Sequence, residues 1–321
     1  MIGGPRETGR ATGRAIGIDV GGTKCLGIVW HDDNVVAEVR MPTPAGQTAI
    51  VDTLSSIVGH LEAVVGACDT VGVGVPGLVT RHGVINASPN LIDIRDFAVG
   101  GQLSSRLDRR VWVDNDATCA AVAEWIAGSA EGCTDACIVT LGTGIGGGIV
   151  AGGSLLRGTN GFAGEIGHMV VDADGIECPC GRRGCWERYA SGSGLARLAR
   201  EAASANRLRR VVEEVGGIDS IRGEHVRGAA EAGDEESLAV IDEFGRWVAL
   251  GLVNIANILD PERFVIGGGL AASGDIFLTA IGRWFARLLY SPEQRPHPDL
   301  VVARFAETAG AVGAALLPQG H

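Results

Sequence analysis

No secretory signal opens the sequence: Met1 to Arg14 is rich in Gly and Arg and holds no apolar h-region. Eight cysteines without an export signal imply a cytoplasmic protein with reduced thiols, preceded by a mobile tail over 1–14. Basic charge is also short. The formal charge of -11 opposes nucleic acid as a partner, because such binding needs Lys and Arg to replace condensed counterions. No Gly-x4-Gly-Lys-Ser/Thr run is present, which excludes a P-loop. Gly72-Gly74-Gly77 and Gly142-Gly144-Gly147 have dinucleotide-fingerprint spacing, but Pro76 and the strand expected after Gly148 deny each the helix that fingerprint requires. Ala136 to Leu156 lacks any charged residue at the length of a membrane span, yet seven of its residues are glycine. That composition predicts strand-turn-strand and no membrane partner.

What is present is apolar enough to fold. Hydrophobic residues make up 46% of the 321, and charged residues 20%, the balance of a globular protein long enough for two domains. The 50 glycines fall in short clusters beside apolar runs, as in tight turns where backbone approaches a ligand.

Ala15 to Asp19 runs through Gly21-Gly22-Thr23-Lys24 into Cys25 to Trp30, which reads as two strands joined by a turn. Ile50, Leu54, Ile57, Val58, Leu61, Val64 and Val65 form a helical stripe, and Val71 to Val75 a buried strand. Val111-Trp112-Val113 leads through Asp114-Asn115-Asp116 into an alanine-rich helix ending before Gly128. Cys137 to Leu141, Gly142-Thr143-Gly144 and Gly146 to Val150 repeat the first strand-turn-strand pattern, weak evidence of internal duplication. Helices over Asp234 to Leu259 and Ile276 to Leu289 flank a strand, Phe264 to Ile266, that ends in three glycines. Strands alternating with helices predict α/β domains.

His168, Cys178, Cys180 and Cys185 place an imidazole and three thiols around Pro179 and Gly181, the donor set of closed tetrahedral zinc. With every position filled by protein, such zinc is structural. A zinc-bound imidazole keeps its other nitrogen protonated, so His168 is placed to serve metal and substrate together. The other five cysteines lack ligand spacing and are expected in the core.

The two glycine-threonine turns can converge backbone N–H groups on phosphate oxygens. Beside the first, Asp19 suits hydrated Mg2+ and Lys24 a phosphate, though turn and surface roles explain both equally. Phosphoryl transfer also needs a carboxylate to take the hydroxyl proton. Asp114 and Asp116 both qualify by type, and an aspartate before such a helix is often an N-cap.

Taken in order, Asp19 to Lys24, Asn115-Asp116-Ala117, Leu141 to Gly148, Glu165-Ile166-Gly167-His168 and Cys178 to Glu187 resemble the ROK family of sugar kinases and repressors, in particular its zinc-containing glucokinases. The resemblance runs from about Ala15 to about Leu317. It implies a two-domain actin-like ATPase fold (ribonuclease H-like) with an interdomain cleft: a small α/β domain over 15–125 completed by a C-terminal helix over 307–321, and a large one over 126–306 carrying the zinc loop. It implies ATP-dependent phosphorylation of a hexose 6-hydroxyl, glucose first, with ATP, Mg2+ and Zn2+, in a homo-oligomer (dimer or tetramer). By the same carry-over Asp116 is the base. Asn115, Asp116, Glu165, His168 and Glu187 bind sugar hydroxyls, with Gly77 and Asn90 on sugar-side loops. Asp19, Gly22, Thr23, Lys24, Thr143 and Gly144 face phosphates and metal, and Gly268 and Gly269 lie beside adenosine. Relatives with similar zinc loops act on N-acetylglucosamine, N-acetylmannosamine, mannose or fructose. The family's repressors carry an added helix-turn-helix, for which the residues before Asp19 are too few. Glu307-Thr308-Ala309-Gly310 departs from the aspartate-rich stretch that many relatives have there.

Overall fold

The computed structural model describes residues 13–320 apart from 89, 92–93 and 270–274. The expected tail, save its last two residues, and Pro89 of an expected sugar-side loop lie outside the described residues. The chain divides into two compact units, Met1–Ile138 with Gly147–Gly164 and Arg304–His321, and Val139–Gly146 with Glu165–Ala303. The division differs from the expected one after residue 125, since 126–138 and 147–164 join the first unit. Both turns of the chain back into that unit are made by a hairpin and a single C-terminal crossing, which no change in composition marks.

In the first unit, β1 (Ala15–Val20), β2 (Lys24–His31) and β3 (Asn34–Pro42) form an antiparallel meander, while β4 (Thr70–Val75) and β8 (Val111–Asn115) run parallel to β1. The sheet order is β3-β2-β1-β4-β8. Helix α1 (Gln47–Val65) buries Ile50, Val51, Leu54, Ile57, Val58 and Leu61 in its core. By length and composition α1 passes for a membrane span, but this stripe packs it on the sheet. Val64, expected on the stripe, is 75% exposed; it lies in the last turn before the C-cap Gly66, and the buried stripe ends at Leu61. Short strands β5 (Leu78–Val79), β6 (Ile85–Ala87) and β7 (Arg95–Phe97) and helix α2 (Val99–Leu107) lead to β8.

After β8 comes α3 (Asp116–Ala127), and then β9 (Ala136–Leu141), β10 (Ile145–Ala151) and β11 (Ser154–Leu155). The uncharged run is thus the expected strand-turn-strand. A second sheet has the order β11-β10-β9-β12-β13, where β12 is Arg263–Gly267 and β13 is Asp299–Val302. The second unit adds α4 (Glu187–Ala190), α5 (Gly192–Ser204), α6 (Arg209–Val215), α7 (Gly223–Glu231), α8 (Glu235–Leu259) and α9 (Asp275–Leu288). Asp234 caps α8 by accepting from Ser237 N at 2.8 Å, so the expected helix begins one residue after its cap.

The C-terminal helix α10 (Ala309–Leu316) lies on β1, β4 and α3. It approaches closely because Gly17 and Gly72 present bare backbone: a Cβ there would come within 1.9 Å of Ala311 O and 1.8 Å of Ala314 O. The segment before α10 is pinned by Glu124 of α3, which is 1% exposed. Its carboxylate accepts from the backbone N–H of Ser129 (2.8 Å), Arg304 (3.0 Å) and Phe305 (2.9 Å). Unsatisfied buried donors cost about 1–3 kcal/mol each. Glu124→Ala is therefore expected to lower unfolding free energy by about 3 kcal/mol or more, checked by urea denaturation followed by circular dichroism.

Candidate active site and metal centre

In the first unit the site grows from strand register. Asp19 on β1 pairs with Gly74 on β4, and Gly74 with Asp114 on β8, so one row across the carboxyl ends of parallel strands carries two carboxylates. This is where open α/β sheets bind ligands. The turn after Val20 is closed by Gly21 N donating to Lys24 O at 2.9 Å. Thr43 holds it from β3's end, its hydroxyl donating to Gly21 O at 2.7 Å and its N–H to Thr23 O at 3.0 Å. Gly22, Thr23 and Lys24 are exposed, and Gly22 faces the backbone of Asn90. Thr43 went unnoticed in the sequence because nothing local ties it to a turn twenty residues earlier.

The junction of β8 and α3 distinguishes its three polar residues. Asn115, not an aspartate, is the N-cap: its Oδ1 accepts from Ala117 N (2.9 Å) and Thr118 N (3.1 Å), and its Nδ2 donates to Gly77 O at 3.0 Å. Gly77, at φ 109, thus orients Asn115 with its carbonyl, which leaves one amide hydrogen of Asn115 for a ligand. Asp114 is buried and paired, its Oδ2 2.9 Å from Arg157 Nε, while Arg157 Nη1 donates to Gly320 O at 3.0 Å. Asp116 stands in the first turn of α3 beside Asp19. Arg157, from a loop far along the chain, carries no sequence signal of this role.

Burial first, then the Asp116 carboxylate, push the Asp19 carboxyl up to about 7, against the pull of Lys24. Two neighbouring acidic groups at the ends of adjoining elements fit a hard cation with oxygen ligands.

In the second unit Gly142-Thr143-Gly144 forms the turn of the β9–β10 hairpin, with Gly142 N donating to Gly144 O at 3.0 Å. The start of α5 braces it: Gly192 N donates to Gly142 O (2.8 Å) and the Ser193 hydroxyl to Thr143 O (2.8 Å). A cleft of about 670 Å³ opens here, lined by Gly142, Thr143, Ser193, Arg200, Arg222, Arg227 and Gly269. Gly268 backs onto Leu141 at the end of β12. The structure therefore brings Thr143 and Gly269 to one cleft, together with three arginines that sequence reading missed.

Residues 169–186 fold back on themselves, Trp186 N donating to Met169 O at 2.8 Å and Cys178 N to Arg182 O at 2.8 Å. Trp186, fully buried, fastens the loop to α8 through Nε1 on Trp247 O at 2.8 Å. The loop gathers one donor atom each from His168, Cys178, Cys180 and Cys185 within 4.8 Å of one another. Tetrahedral zinc at about 2.3 Å from sulfur sets edges of about 3.8 Å. Cys180 Sγ to Cys185 Sγ is 3.6 Å and Cys178 Sγ to His168 Nδ1 is 3.9 Å, so the residues fit the ion. Cys25, Cys68, Cys119, Cys133 and Cys137 are buried thiols, as expected of packing residues.

With Nδ1 turned to the cysteines, His168 presents Nε2 toward Glu165 Oε2 at 3.9 Å. Glu187 lies on the other side, Oε1 3.8 Å from Nδ1, and its Oε2 faces Gly144. Burial first, and Glu187 in addition, raise the Glu165 carboxyl against the pull of His168. Glu165, His168 and Glu187 are thus one cluster at the edge of the metal loop.

The Asp19 shift has a stability consequence of definite sign. A folded-state value of about 7, above the ordinary 3.8, means that stability falls as pH rises from about 4 to about 7 and stays reduced above that. Asp19→Asn is expected to raise the unfolding free energy of the ligand-free, Mg2+-free protein at pH 8 by on the order of 2 kcal/mol, and to leave it nearly unchanged at pH 4; urea unfolding at the two pH values checks this.

Known proteins are similar to this chain over most of its length. The glucokinase of Streptomyces coelicolor is 39% identical over 313 residues, 94% of this chain and 96% of its own. An N-acetylmannosamine kinase of Escherichia coli is 32% identical, over 95% of this chain and 98% of its own. The crystal structure of a ROK family glucokinase from Streptomyces griseus in complex with glucose and AMPPNP superposes with TM-score 0.84 at 36% identity, covering 95% of this chain and 99% of that one. The ROK family model matches residues 15–321, an extent that takes in both units and every residue named in the site, and the chain belongs to the ROK family.

Proposed function

We propose that the protein transfers the γ-phosphoryl group of ATP to the 6-hydroxyl of glucose, in the cytosol, with Asp116 as general base. The observation that carries this reading is the division of labour at the end of β8. Asp114 is engaged by Arg157, whereas Asp116, in the first turn of α3, lies beside Asp19. The glucokinase relative at 39% identity supports the choice of sugar.

Phosphoryl transfer asks a protein mostly for positioning and charge neutralisation. In this reading Asn115, Asp116, Glu165, His168 and Glu187 hold the sugar hydroxyls, and a hydroxyl misplaced by epimerisation leaves one of these buried groups unpaired. Asp116 accepts the proton of the attacking 6-hydroxyl through a carboxylate oxygen. Thr23, Thr143 and the N–H groups of their turns contact phosphate oxygens, with Lys24 adding positive charge. Arg200, Arg222 and Arg227 line the cleft taken by the rest of the nucleotide, next to Gly268 and Gly269. Asp19 would hold hydrated Mg2+, which when bound would supply positive charge for the phosphates. His168, Cys178, Cys180 and Cys185 would hold a structural zinc, and the loop they belong to presents His168 Nε2 and Glu187 to the sugar.

A second reading is that the sugar is N-acetylmannosamine, favoured by the 32% identical kinase for that substrate. A coupled assay with glucose, N-acetylmannosamine, N-acetylglucosamine, mannose and fructose decides between them. The highest kcat/KM is expected for glucose, and preference for N-acetylmannosamine would replace the first reading with the second.

Asp116→Asn is expected to lower kcat by about 10²–10⁴-fold, the usual share of general base catalysis, and to keep glucose affinity within a few-fold. Turnover near that of the wild type would reject Asp116 as base. Metal analysis is expected to find one zinc per chain, and chelation to weaken glucose binding in calorimetry before circular dichroism reports unfolding. Unchanged glucose affinity in the zinc-free protein would separate the loop from sugar recognition.

A further inference from the structure

Helix α10 meets the rest of its unit through glycines of two kinds. At Gly17, Gly72 and Gly313 a Cβ would come within 1.9, 1.8 and 1.6 Å of a backbone oxygen. A carbonyl in a strand or helix cannot retreat alone, so a side chain at these positions is opposed by the packing itself. Gly310, in the first turn of the same helix, faces something else. A Cβ there would lie 2.7 Å from Asp19 Cγ and 2.9 Å from each of the Asp19 carboxyl oxygens.

The neighbour here is the end of a short side chain on two rotatable bonds. Helix α10 cannot back away, because its next turn rests on Cys119 O and on the bare backbone of Gly17 and Gly72. The low-cost response to a methyl group at 310 is rotation of the Asp19 carboxyl. Alanine is also the better helix former, so the substitution acts on the carboxylate with little cost to the helix.

We propose that Gly310 is a positioning residue for phosphoryl transfer: the missing side chain at 310 keeps the Asp19 carboxylate where it holds the hydrated Mg2+ that accompanies ATP. The inference rests on the reading of Asp19 as the cation-holding group. Mg2+ demands near-ideal octahedral geometry, and a carboxylate turned aside changes both the distance to the hydrated ion and the field at Asp116.

The test is Gly310→Ala, alone and combined with Asp19→Asn. In the single variant the half-saturating Mg2+ concentration is expected to rise, or kcat to fall, by about tenfold or more. Mn2+ binding followed by electron paramagnetic resonance, with a non-hydrolysable ATP analogue present, is expected to weaken in parallel. Glucose affinity measured without nucleotide is expected to change by less than about twofold, since a side chain at 310 would meet Asp19, which the proposed reading does not count among the sugar-holding residues. In the Asp19→Asn background the added effect of Gly310→Ala is expected to shrink to less than about twofold, the signature of one residue acting through another. If Asp19→Asn alone leaves turnover and Mg2+ dependence intact, the reading of Asp19 falls. If Asp19→Asn is damaging while Gly310→Ala is silent, or multiplies in full on top of it, the positioning proposal is overturned. A Gly310→Ala protein that does not fold overturns it equally, because the cost would then lie in packing.

Discussion

Two carboxylates that repel each other set the terms for the first unit. Asp19 and Asp116 are brought together by strand register and by a helix that starts where β8 ends. Burial, and then the repulsion of Asp116, hold the Asp19 carboxyl at about 7, a destabilising arrangement in the absence of a cation. Structures keep such arrangements where chemistry uses them. The rest of the unit supplies the compensation: a core beneath α1, the glycine-lined seat of α10, and Glu124 tying three backbone donors to α3.

Much of this was legible in the sequence, where the signal was local. The cluster of His168, Cys178, Cys180 and Cys185 is legible because three of the four sit within eight residues and their donor type is unusual. The hairpins are legible because glycine between apolar runs has few other uses. The role of Asp116 was undecided by spacing, since Asp114 and Asp116 are of one type. Arg157 distinguishes the two by pairing with Asp114 from forty-three positions away, which no local pattern can announce. Asn115 as cap was hidden for the same reason: any of the three polar residues before the alanine run fits that position.

The cleft beside the β9–β10 turn shows the limit more sharply. Arg200, Arg222 and Arg227 come from α5, from the turn before α7 and from α7 itself, on faces that a helical pattern marks only as polar. Their convergence depends on how α5 and α7 pack on α8, a tertiary fact. The boundary of the units was missed on similar grounds. It passes through the β9–β10 hairpin, where the residues are uniformly apolar and glycine-rich and composition does not shift.

One device recurs in the two units. In the first, the absent side chain of Gly310 leaves room for the Asp19 carboxyl; in the second, a Cβ at Gly144 would lie 2.8 Å from Glu187 Oε2. Each glycine belongs to an element that its neighbours hold firmly, α10 by its glycine seat and the β9–β10 turn by Gly192 and Ser193. Each carboxylate is the softer partner. A firm backbone with no side chain therefore limits where a flexible acidic group rests, and at Glu187 the Cys178 thiol, 3.3 Å from Oε1, directs it further. This explains why glycine at such places is more informative than its turn propensity suggests: at Gly144 and Gly310 what the residue lacks defines a position for the residue opposite, and the chemistry belongs to that second residue.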